Sequence, residues 1–140
     1  MEFTVGFIFT QNLEEVLLIL KDRPVWQAGL WNGVGGKLEK NETLPEGISR
    51  EVREETDIQI AEESWKIVGT LVGTKWKVTI FTTTLDNPLP PTQKTSEKPA
   101  WHHCAHLPTN LIPNLSIIIP ACLHTLTTHN PPTLNLTYHD

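Results

Sequence analysis

Glu51, Glu54 and Glu55 stand at i, i+3 and i+4 within the run "REVREETDI". On a helix of 3.6 residues per turn, three carboxylates at that spacing share one face. Like charges so placed destabilise a helix by a few tenths of a kcal/mol per pair. A carboxylate near the buried edge, where Glu55 falls, costs more. An acidic surface helix is the plain reading. A divalent cation is the chemically specific one, since hard oxygen donors in this number suit Mg2+ or Mn2+. Upstream, Gly33, Gly35, Gly36 and Lys37 in "NGVGGK" add to it. Glycines let backbone approach a metal or phosphate closely, and a lysine brings a point charge suited to phosphate.

The elements that must hold these groups can be read locally. Thr43 with Glu46 three residues on forms a capping box, and Pro45 suits a first turn. This predicts a helix from about Leu44 to Thr56. Ile48 and Val52, with Leu44 nearby, form its core face, while Glu46 and Arg53 point to water. "EFTVGFIFT" and "EEVLLILKD" read as two strands. "SWKIVGTLVGT" and "WKVTIFTTTL" read as a further pair rich in β-branched residues, and "AWHHCAHL" as one more strand. "PNLSIIIPACLHTL" predicts a second helix from near Asn114, bent at Pro120. The tail from residue 126 to 140 is left unplaced. It is an extended finish or a poorly ordered end. The whole is a mixed α/β domain.

The 140 residues suffice for one domain. With 39% hydrophobic and 19% charged residues, the composition is that of a soluble globular chain. A formal charge of −5 argues against a duplex nucleic-acid binder. It leaves room for a nucleotide, because a bound cation reverses local charge. Cys104 and Cys122 make no disulfide framework. The first residues have no basic leader, and "LSIIIPACL" is too short to span a bilayer. A cytoplasmic protein with no membrane association is expected.

Gly36, Glu42 and "REVREETDI" together resemble the Nudix box, G-x5-E-x7-R-E-U-x-E-E-x-G-U, with U a bulky aliphatic residue. The single departure is Asp57 in place of the final glycine. An altered helix end is expected there, since Asp enters the left-handed region less readily. "LWNGVGGKLEKNET" is also similar to the oxidised-purine nucleoside triphosphatases of that superfamily, and the layout agrees to about residue 125. The resemblance implies an α/β/α sandwich around a mixed sheet, spanning residues 1–140 as a single domain. It implies hydrolysis of a nucleoside diphosphate linked to a group X, with Mg2+ or Mn2+. Glu51, Glu54, Glu55 and the Gly35 carbonyl would be metal ligands. Arg50 would orient Glu51, Glu42 would brace the loop and helix, Gly36 would be structural, and Lys37 would meet a phosphate. Glu51, Glu54 or the loop residue Glu97 would take the proton from water. For Glu97 a solvated loop position is the equal alternative.

By the same resemblance, Lys21, Arg23, Asn32 and Asn114 would contact the substrate, Asn32 and Asn114 at the base. Asn114 reads equally well as an ordinary N-cap. Ile112 stands where some relatives carry a stacking tryptophan, and Leu115 where they carry an acid. The expected reaction is nucleoside triphosphate to monophosphate and pyrophosphate, by a monomer or homodimer. The alternatives are hydrolysis of ADP-ribose, a nucleotide-sugar or a dinucleoside polyphosphate, and a nucleotide-binding module without catalysis. "HHCAH" matches no standard zinc spacing.

Overall fold

A computed structural model describes residues 1–140. Strand β1 (Glu2–Thr10) lies in the middle of an eight-stranded mixed sheet. One edge of β1 pairs in parallel with β6 (Lys77–Leu85) over its whole length. Its other edge is shared: Phe3–Gly6 pair with β4 (Val34–Lys37), and Ile8 and Phe9 pair with β2 (Glu15–Leu20). β2 in turn divides one edge between β1 and the short β3 (Trp31–Asn32) and gives the other to β7 (Lys98–His103). Beyond β6 come β5 (Lys66–Val72), antiparallel, and β8 (Leu134–Thr137), parallel to β5. The tail left unplaced by the sequence is therefore the edge strand of the sheet.

Helices cover both faces, because β1 and β2 bury both sides of their pleat. Ile8, Leu17 and Ile19 face helix α1 (Leu44–Thr56) and join Ile48, Val52 and Phe81 in one cluster. Phe7, Phe9, Val16 and Leu18 face helix α2 (Leu115–Thr127) and join Leu115, Ile118, Ile119 and Cys122 in the other. This is the expected α/β/α arrangement. α2 runs unbroken through Pro120, which faces solvent. No helix is long and apolar enough to cross a membrane.

Two glycines let α1 settle onto the sheet. A Cβ on Gly6 would lie 2.9 Å from Ile48 Cδ1, and one on Gly36 would lie 2.6 Å from Glu51 Oε1. The capping box forms as expected: Glu46 N–H donates to Thr43 Oγ1, and Thr43 N–H donates to Glu46 Oε1. The other end of α1 differs from expectation. Asp57 takes the left-handed conformation (φ 63°) and its N–H donates to Arg53 O at 2.9 Å. The helix end is not altered; Asp occupies the glycine's conformation, one that Asp and Asn tolerate better than other side chains.

Candidate active site

α1 presents its acidic face toward β4, with Arg50 at the centre of the charge. Arg50 Nε donates to Glu42 Oε2 at 2.7 Å and Nη2 to Glu42 Oε1 at 3.1 Å. Nη1 donates to Glu51 Oε1 and to Glu54 Oε2, each at 3.1 Å, and Nη2 reaches Lys37 O at 3.2 Å. Glu42 also accepts from Glu39 N–H at 3.0 Å, which ties the loop before α1 to the same guanidinium. The Arg50 bond lowers the Glu42 pKa first, and burial opposes it. Glu42 in turn is the main cause raising that of Arg50. One permanently charged fork thus holds the β4 backbone, the loop and two glutamates in register.

Glu55 stands apart from this brace. It is buried, and its Oε2 has no hydrogen-bond partner. Burial pushes its carboxyl up to about 8, with the neighbouring Glu51 adding to the rise and Lys21 opposing it. Lys21 is itself paired with Glu97: Nζ donates to Oε1 at 3.0 Å. Asp22 N–H donates to the other Glu97 oxygen at 2.8 Å, and Ser96 Oγ donates to Asp22 Oδ2. Glu97 is therefore not a solvated loop residue. It is buried, with both oxygens engaged, beside the acidic face. Asp22 and Ser96 were not singled out by sequence reasoning, and nothing local marks them, since they meet only through the fold.

The residues fit a divalent cation. Glu51, Glu54 and Glu55 are hard oxygen donors next to a glycine strand, and a buried carboxylate oxygen lacks any partner. No three acidic, histidine or cysteine side chains are already gathered as a cage. Arg50, bonded to Glu51 and Glu54, offsets the repulsion between them. The glycines act through close approach: Gly33, Gly35 and Gly36 keep negative φ, and a Cβ on Gly35 would collide with Thr4 O. Lys37 is exposed and forms no ion pair, and Arg23 is likewise exposed.

Asn32 and Asn114 lie on neighbouring segments. Trp31 N–H donates to Asn110 O at 2.8 Å and Trp31 O accepts from Ile112 N–H at 3.0 Å, so β3 runs alongside the entry to α2. Asn32 Oδ1 accepts from Gly33 N–H, and its Nδ2 donates to Gln27 Oε1 at 3.3 Å. Asn114 occupies the cap position of α2 but makes no capping bond. Asn114 is thus the N-cap residue by position, as one of the two readings had it, but capping does not engage its side-chain amide. Lys21 sits with Glu97 and Glu55 at the acidic centre. In the histidine run, His102 packs edge-on against Trp31 at 4.4 Å, while His103 lies 5.4 Å from His106.

Over 47 residues the chain is 43% identical to the mouse (Mus musculus) oxidized purine nucleoside triphosphate hydrolase. That stretch is 34% of this chain, and it spans only 30% of the length of the mouse protein. The fold is similar to the NUDIX domain of Shewanella oneidensis NrtR complexed with ADP ribose, with TM-score 0.75 and 18% identity, covering 91% of this chain and 88% of that one. It is also similar to the MutT NUDIX hydrolase from Burkholderia pseudomallei, with TM-score 0.72 and 19% identity, covering 86% of this chain and 95% of that one. The NUDIX domain family matches residues 2–122. With the acidic helix, its arginine brace and the mixed sheet between two helices in hand, the chain belongs to the NUDIX domain family.

Proposed function

We propose that this protein is a Mg2+- or Mn2+-dependent hydrolase of nucleoside diphosphate-X linkages, acting on a nucleoside triphosphate to release monophosphate and pyrophosphate. The observation that carries the reading is the acidic face of α1, where Arg50 orders Glu51 and Glu54 beside the partnerless Glu55 oxygen. Glu51, Glu54, Glu55 and the Gly35 carbonyl would hold the cation. When bound, it supplies charge neutralisation at the diphosphate oxygens and an acidified water. Lys37, exposed and unpaired, reaches a phosphate. Arg50 keeps Glu51 and Glu54 oriented through binding and release. Glu54 is the better base for the attacking water: it is half exposed, and its Oε1 meets no protein donor. Glu97 has both oxygens occupied and acts by holding Lys21 in place. Asn32 and Asn114 meet the base, with Arg23 at the outer loop.

The nucleoside triphosphate reading draws support from the mouse relative's 43% identity over 47 residues. A second reading, hydrolysis of ADP-ribose, draws support from the similar NrtR domain bound to ADP ribose. The two free cysteines agree with action in the cytoplasm, as a monomer or homodimer. Initial rates with Mg2+ on canonical and oxidised nucleoside triphosphates, ADP-ribose and dinucleoside polyphosphates separate the readings. Highest kcat/KM on a triphosphate, with pyrophosphate as product, is the expected result. Turnover confined to ADP-ribose replaces it with the second reading.

A further inference from the structure

The C-terminal segment carries Tyr138 onto Asn114. Asn114 Nδ2 donates to Tyr138 Oη at 2.9 Å. Asn114 makes no capping bond to α2, so its amide is not committed to the helix. Its Oδ1 is buried and receives no donor from the protein. A buried acceptor without a partner is costly, and a ligand N–H that reaches it removes the cost.

Tyr138 is held from several directions. Its own N–H donates to Val72 O at 2.8 Å, continuing the pairing of β8 with β5. Its ring lies 5.5 Å from that of Trp76. Trp76 Nε1 donates to Asp140 Oδ2 at 2.6 Å, and Thr74 N–H donates to Asp140 Oδ1 at 2.9 Å. The phenol is thus fixed by the strand before it, the ring beside it and the clasp after it.

An Asn side chain with no bond to its helix is free to change rotamer, and a partner at one end of its amide holds the other end in place. We propose that Tyr138 is a positioning residue for base recognition: by engaging Asn114 Nδ2 it holds the side chain in the rotamer that leaves Oδ1 as the free acceptor, and so favours nucleotides whose base edge carries an N–H donor. The inference rests on the reading of Asn114 as a base contact.

The test compares wild type, Tyr138→Phe and Asn114→Ala on purine nucleoside triphosphates that carry base N–H donors and on purine riboside triphosphate, which carries none. Tyr138→Phe keeps the ring against Trp76 and removes only the hydroxyl. Wild type prefers the donor-bearing nucleotides. Tyr138→Phe shrinks that preference roughly fivefold, through KM and not kcat. Asn114→Ala abolishes it, and Tyr138→Phe has no further effect in that background. If Asn114→Ala lowers the preference and Tyr138→Phe does not, even with a lowered Tm, the phenol is merely structural and the proposal falls while the base reading stands. If wild type has no preference, or Asn114→Ala keeps it, the base reading falls and takes this proposal with it.

Discussion

Arg50 and Glu42 meet through two parallel bonds, Nε to Oε2 at 2.7 Å and Nη2 to Oε1 at 3.1 Å. The pair is mostly shielded, with side chains 13% and 12% exposed. Charge alone does not reproduce it, because a lysine offers one ammonium where the guanidinium offers a planar fork. Arg50→Lys is therefore expected to lose about 1–3 kcal/mol of stability in urea unfolding. It also lowers kcat, since Glu51 and Glu54 lose their common anchor. A variant with wild-type stability and kcat contradicts the bracing role.

Asp57 closes α1 in a conformation that glycine reaches at no steric cost. Asp57→Gly is expected to raise stability by about 0.5–1 kcal/mol, offset in part by the added freedom of the unfolded chain. Glu54 and Glu55 stand in the same last turn, but the Asp57 side chain is exposed and bonds to neither, so kcat/KM stays at the wild-type value. Denaturant midpoints and steady-state rates check both halves, and a fall in stability would mean that the Asp side chain contributes a bond of its own.

Glu55 gives a pH dependence with a definite sign. Its folded pKa of about 8 lies above the ordinary 4.5, chiefly through burial and then through Glu51. The folded state therefore holds a proton that the unfolded state releases. The metal-free protein has this group's full stability below about pH 4.5 and loses it as pH rises to about 8. In chelator, Glu55→Gln is expected to melt several degrees above wild type at pH 8 or higher, with the gap closing toward pH 4.5. Mg2+ then raises the wild-type Tm and not that of the variant. A gap that does not vary with pH contradicts the buried-acid account.

Much of this arrangement is written in local patterns. The capping box at Thr43 and Glu46 needs only three intervening peptides, and the Ile48–Val52 face needs only helical periodicity. The alternating faces of β1 and β2 follow from residues that are apolar on both sides of the pleat. What stayed hidden depends on distant partners. Whether loop residue Glu97 is solvated or part of the site stayed open because Lys21 and the Asp22 amide, which hold it, lie more than seventy positions away. The tail was unreadable because β8 is only four residues long and half-buried, and its partner β5 could be chosen only by the assembled sheet. The glycines of "NGVGGK" were legible as a close approach, though not which backbone or side chain they approach.

The proposed function makes the acidic face of α1 the seat of metal-dependent hydrolysis. Its most direct test is the Mg2+-dependent rate of pyrophosphate release from the best triphosphate, for wild type against Glu54→Gln in the same buffer. Glu54 is half exposed and bonded within the protein only to Arg50, so the amide leaves the fold intact. A wild-type rate that vanishes in chelator, with a loss of about a hundredfold or more in Glu54→Gln, is the expected result. Equal rates for the two proteins, or a wild-type rate indifferent to metal, would contradict it.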